Sequence, residues 1–146
     1  MYAASKDVIS IGQLQIRYLR DGSSDGTAGV FEMLVPPGAK SPPAHSHENE
    51  EIVYCLEGIF RSTVGGIVRD LQPGDVAYTP SGTIHSFSNP HDQPARVIVT
   101  NAPDIGAQYF RDIAESARSA GGPDPAKMSE IMRRYGLTLQ PHAAPS

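Results

Sequence analysis

Residues 45–58 read HSHENEEIVYCLEG. His45 and His47 stand two apart, and on an extended chain side chains two apart share a face. Glu51 and Val53 keep that parity across a bend at Glu48-Asn49-Glu50. From Glu51 to Leu56 the chain is apolar on both parities, with Ile52, Tyr54 and Leu56 on one and Val53 and Cys55 on the other. A strand apolar on both faces needs a cover on each side. One face therefore belongs to an interior that also receives two imidazoles and a carboxylate, and the other calls for a second layer.

Reading outward, the same period of two recurs. Leu14, Ile16 and Tyr18 alternate with Gln13, Gln15 and Arg17, so Gln13 to Leu19 is expected to be a half-buried strand. Val30 to Val35 is a second strand, closed by Pro36-Pro37-Gly38. A Pro-rich stretch then delivers the chain to His45. Phe60 to Val64 and Ile67 to Leu71 flank Gly65-Gly66, a short-hairpin signal. Val76 to Thr79, Ile84 to Ser88 and Arg96 to Thr100 complete the series. Many short strands separated by Gly- and Pro-bearing turns point to an all-β sandwich or small barrel rather than to βαβ units.

The last third changes character. Asp104 is expected to cap a helix running to about Ala120, with Tyr109, Phe110, Ile113, Ala114 and Ala117 as its apolar stripe. Asp124-Pro125 opens a second helix and Gly136 ends it; Met128, Ile131, Met132 and Tyr135 are its buried face. These stripes are expected to pack on the outside of the barrel, as structure rather than as catalytic machinery. The division expected is a barrel over 1–103, a helical extension of the same domain over 104–137, and a flexible tail over 138–146.

The whole chain agrees with one small domain: 146 residues, 39% hydrophobic and 19% charged. A net charge of -4 gives no electrostatic footprint for nucleic acid or an anionic membrane. Cys55 is the only cysteine, which excludes an intrachain disulfide. With no apolar leader in residues 1–10, the expected location is cytoplasmic.

His85 follows the tight turn Pro80-Ser81-Gly82 and arrives from a distant strand. Three imidazoles and one carboxylate suit a borderline divalent metal, whether iron, manganese, nickel, cobalt, copper or zinc, and leave positions open for substrate or water. Gly38, His45-Ser46-His47, Glu51 and Gly58 resemble the first cupin motif, G(X)5HXH(X)3-4E(X)6G, with a lead from Gly38 one residue longer than the pattern. Gly74, Pro80, Gly82, His85 and Asn89 match the second, G(X)5PXG(X)2H(X)3N. The resemblance implies a double-stranded β-helix (jelly-roll) barrel, followed here by the two C-terminal α-helices. It also implies that His45, His47, Glu51 and His85 are metal ligands.

Glu50 is the rival to Glu51, and the spacing to Gly58 favours Glu51. Cys55, sharing the parity of Glu51, is expected to be a small core residue, Asn89 a turn-stabilising amide, and His91 and His142 exposed and inert. The chain is also similar to small single-domain cupins of the quercetin (flavonol) dioxygenase kind. That similarity implies a dioxygenase acting on a small organic molecule, with Glu51 as ligand and catalytic proton acceptor. Phe31, Met33, Val35, Val53, Val76, Tyr78 and Phe87 are the candidates for the pocket wall. A non-redox isomerase, cyclase or lyase with the same site, and a non-enzymatic small-molecule sensor, are the alternatives. The doubly apolar strand at Glu51 and the apolar run Val97-Ile98-Val99 imply a homodimer, unless the helices supply the second cover.

Overall fold

The alternating segments form two β-sheets in the computed structural model, which describes residues 5–39, 42–119 and 121–140. In chain order the strands are β1 (Ile9–Ile11), β2 (Leu14–Arg20), β3 (Gly29–Val35), β4 (His45–Ser46), β5 (Glu50–Glu57), β6 (Phe60–Val64), β7 (Ile67–Leu71), β8 (Val76–Thr79), β9 (His85–Ser88) and β10 (Ala95–Ala102). Helices α1 (Ala107–Ala117) and α2 (Pro125–Arg134) follow, and β11 (Thr138–Leu139) closes the described chain. One sheet runs β1-β2-β3-β10-β5-β8 and the other β11-β4-β9-β6-β7, the two halves of a jelly-roll barrel.

The core between the sheets takes one parity from each strand. Leu14, Ile16 and Tyr18 point inward, as do Phe31, Met33 and Val35, and Val97 and Val99. Phe60 and Leu71 meet them from the smaller sheet. Each such side chain removed from water contributes about 1.5–3 kcal/mol. On the outer face of the large sheet, Glu32 pairs with both Arg17 and Arg96, while β5 and β8 leave Ile52, Tyr54, Leu56, Val76 and Tyr78 exposed.

The turns carry the two motifs. Gly82, with φ 78°, lets its N–H reach the carbonyl of His47 at 2.8 Å, tying the second motif to the first. Asn89 is a buried turn amide, donating from Nδ2 to the carbonyls of Val35 and Gln93 and accepting from the N–H of His91. Gly58 leaves no room for a Cβ, which would fall 2.1 Å from the carbonyl oxygen of Pro94.

The C-terminal segment departs from expectation in three ways. Asp104 does not cap α1; Gly106 occupies that position. Asp104 is buried instead, accepting from the Tyr18 hydroxyl at 3.1 Å and from the Gly22 N–H at 3.1 Å. Its carboxyl group lies where a side chain on Gly29 would stand, 1.9 Å from that absent Cβ. Asp21 accepts from the N–H of Ala107 and so holds the first turn of α1. Second, the helices do not cover the outer face of β5 and β8. α1 packs beside β1 at the barrel mouth, where Phe110 stands edge-on to Phe31 at 5.0 Å. Third, Thr138 and Leu139 are not tail. They pair with Ser46 and His45, extending the smaller sheet. Residues 141–146, His142 among them, lie outside the described residues. The α2 start is as expected, with Pro125 at its first position and Asp124 accepting from the Ala126 N–H.

Candidate metal centre

His45 and His85, forty residues apart in sequence, are cross-strand partners on β4 and β9. His47 lies just beyond the end of β4, on the same face as His45. The three rings gather with centroids 4.6 Å (His45–His85), 4.7 Å (His47–His85) and 5.8 Å (His45–His47) apart. One nitrogen from each lies within 4.8 Å of the others.

Short-range hydrogen bonds fix which nitrogen that is. Nδ1 of His45 contacts the carbonyl oxygen of Pro43 at 2.8 Å, Nδ1 of His47 that of Asn49 at 2.9 Å, and Nδ1 of His85 that of Thr83 at 2.9 Å. A carbonyl oxygen only accepts, so each Nδ1 carries the proton and donates it, and each Nε2 keeps a free lone pair. This is how metal-ligating imidazoles are held in tautomer and orientation. Burial holds His45 and His47 at a pKa of about 4, so both are neutral at neutral pH. The Nε2 atoms of His47 and His85 are buried without a hydrogen-bond partner, an arrangement that costs about 1–3 kcal/mol per group unless something accepts the lone pair. The three histidines can hold a metal ion, and their converging imidazole nitrogens fit a borderline transition metal.

Glu51 enters from the opposite sheet. Its Oε2 is 3.4 Å from His85 Nε2 and its Oε1 3.9 Å from His47 Nε2. Burial pushes its carboxyl pKa up, and His85 pulls the other way. Glu50 points to the outside and accepts from the Tyr78 hydroxyl at 3.0 Å. Cys55 is fully buried, its thiol pKa raised first by desolvation. His91 sits away from the centre with Nε2 3.4 Å from Asp70.

The centre opens on a cavity of about 80 Å³, well below the few hundred Å³ of pockets that enclose drug-sized ligands. Phe31, Met33, Val53 and Phe87 line it with the three histidines and Glu51. Tyr78 and Val76 do not. In the β5–β8 register Thr79 stands opposite Glu51 and Ala77 opposite Val53, so Tyr78 and Val76 share the outer face with Ile52 and Tyr54. Val35 is buried in the core and is not part of this wall. The cavity also has walls that sequence reasoning missed. Phe60 and Ser62 come from β6, and Asn101 from β10, where its inward parity with Val97 and Val99 was the available signal. Ile105, Tyr109, Phe110 and Leu137 close it from the C-terminal segment. α1 is thus part of the cavity wall, not a buttress outside the barrel, while no residue of α2 lines it.

The cupin domain family matches residues 31–101, which span both motifs. A bifunctional lysine-specific demethylase and histidyl-hydroxylase NO66 of Branchiostoma floridae is 40% identical over 63 residues, 41% of this chain. A quercetin 2,3-dioxygenase of Bacillus subtilis (strain 168) is 27% identical over 92 residues, 61% of this chain. The chain spans only 10% and 27% of the length of these two relatives. Among solved structures, an RmlC-like cupin from Shewanella frigidimarina NCIMB 400 superposes with a TM-score of 0.60 at 22% identity, covering 70% of this chain and 95% of that one. No helix among the described residues is long and apolar enough to cross a membrane. Two motifs in register, a two-sheet barrel and the family match over its centre establish that the chain belongs to the cupin superfamily.

Proposed function

We propose that this cupin is a metal-dependent enzyme acting on a small organic molecule, with dioxygenase chemistry the leading reading. The observation that carries it is the convergence of three imidazoles, each with its Nε2 turned toward the others, beside the largely buried Glu51 carboxylate at a small, mostly apolar cavity. His45, His47 and His85 would hold the ion, with Glu51 as the fourth ligand. The divalent metal they would hold would supply Lewis acidity toward a substrate oxygen and, if redox-active, reactivity toward dioxygen. Glu51, with its carboxyl pKa raised by burial, is suited to take a proton from the substrate at Oε2 and return it. The apolar walls exclude water from that exchange.

The dioxygenase reading draws on the similarity to quercetin 2,3-dioxygenase, and the name of the second relative also contains an oxygen-inserting activity. The cavity of about 80 Å³ favours a compact enolisable substrate over a flavonol. Oxygen uptake by iron-, manganese-, nickel- and copper-loaded protein, tested with flavonols and with small enolisable compounds, is the measurement. Metal-dependent uptake with product formation supports the reading. Turnover without oxygen uptake assigns the site to isomerase or lyase chemistry, and binding without turnover to a sensor.

We also propose that two copies pair through the outer face of β5 and β8. Ile52, Tyr54, Leu56, Val76 and Tyr78 are each 38–48% exposed there, uncovered by the helices, and the ion pairs of Glu32 flank the patch. Light scattering at micromolar concentration should give twice the chain mass. Tyr54→Lys should weaken the dimer about 30-fold or more, as loss of a buried interfacial aromatic does. A monomeric parent protein contradicts the proposal.

A further inference from the structure

The inner face of the large sheet carries one polar row across three neighbouring strands. Asn101 of β10 stands opposite Glu51 of β5, and Glu51 stands opposite Thr79 of β8. The next inward row is Val99, Val53 and Ala77, and the strand continues to Val97 and Cys55. Asn101 is 1% exposed, and neither its Oδ1 nor its Nδ2 has a hydrogen-bond partner. It lines the same cavity as the three histidines. On its other side β3 presents Gly29, whose side-chain position is filled by the Asp104 carboxyl group, itself bound to Tyr18 and Gly22. Buried amides are ordinarily paired, and an amide with both ends unpaired at the wall of a cavity calls for a partner from within that cavity.

Resting on the reading of the cavity as a substrate site beside a metal, we propose that Asn101 binds the substrate directly. Its amide presents a donor and an acceptor side by side. The matching ligand carries an acceptor next to a donor, which is the edge of an α-hydroxycarbonyl compound. The carbonyl oxygen accepts from Nδ2 and the adjacent hydroxyl donates to Oδ1. The register places that edge next to Glu51, and the cavity of about 80 Å³ suits a compact ligand. The substrate class is therefore a small α-hydroxy ketone or α-hydroxy acid.

The test uses zinc-loaded full-length protein, whose ion is redox-inert, with hydroxyacetone, acetoin and glycolate as probes. Their O-methyl counterparts keep the acceptor and lose the donor. Affinity is read by calorimetry or ligand-observed NMR for the parent, Asn101→Leu and Asn101→Asp, alongside zinc content and melting temperature. The parent should bind at least one hydroxy probe about tenfold more tightly than its O-methyl partner, and Asn101→Leu should abolish that preference while keeping its zinc. An amide serving only the fold would change the melting temperature and leave the preference in place, which overturns the proposal. So does a parent that binds none of the hydroxy probes, or binds each pair equally, and this outcome needs no variant to fold. Failure of the metal reading shows separately, as absence of stoichiometric zinc in the parent, with the Asn101-dependent preference still readable on that protein.

Discussion

The cavity has two walls that are held in place by different means. The histidine wall is fastened locally: each Nδ1 is bound by a carbonyl only two residues away in the chain. The C-terminal wall of Ile105, Tyr109, Phe110 and Leu137 is fastened at long range. Asp104 reaches Tyr18 and Gly22, Asp21 reaches Ala107, and Phe110 rests on Phe31 and Tyr18. The first wall is polar and can hold a metal ion; the second is mostly apolar. Local fastening sets the orientation of each ring, while β11 adds one long-range tie where Leu139 pairs with His45. Long-range fastening makes the enclosure depend on the whole fold.

Removing the C-terminal wall is the most severe way to break this contrast. A chain ending at Pro103 uncovers Tyr18, Phe31 and Ile11, at about 1.5–3 kcal/mol each. That is a large share of the roughly 5–15 kcal/mol that holds a domain folded. The expected result is aggregation or a steep fall in melting temperature. If the shortened chain melts and dissolves like the parent, the segment is a detachable lid rather than part of the core.

Cutting only the fastening is gentler. Asp104→Ala leaves the Tyr18 hydroxyl and the Gly22 N–H buried without their acceptor, at about 1–3 kcal/mol. Denaturant unfolding should show that loss while bound metal stays the same. Loss of metal in this variant would mean that the two walls are not independent.

The smallest effect should come from Tyr78→Phe. It removes one exposed hydrogen bond to Glu50, so stability should change by less than about 0.5 kcal/mol and activity not at all. A clear change in activity would return Tyr78 to the substrate site.

The two walls also differ in how far they could be read from residues. Strand parity is a local rule, so the shared face of His45 and His47 follows from spacing; Glu51 reaches the same interior from the opposite sheet, and the second motif supplies His85. The same rule failed at β8. Its bulky residues, Val76 and Tyr78, read as interior by size, whereas Ala77 and Thr79 occupy that side. Parity gives two faces without saying which is inside, and here the small side chains fit an interior that Phe60 and Phe87 already fill from the other sheet. The helical stripes were visible, but which surface they cover depends on partners far away in sequence. An aspartate before a helix reads as a cap, and nothing adjacent to Asp104 announces that its partners are Tyr18 and Gly22. Strands of two or three residues, such as β1, β4 and β11, are too short to show a period. Asn101 lies one residue past the expected strand Arg96 to Thr100, and its parity with Val97 and Val99 is the signal that places it inside.

Metal content tests the central claim most directly. Full-length protein freed of metal, reloaded with one divalent ion and dialysed should hold about one equivalent. His47→Ala should bind the same ion at least about 100-fold more weakly while its far-ultraviolet circular dichroism stays that of the parent. Equal metal in the two proteins, or none in either, would contradict the account.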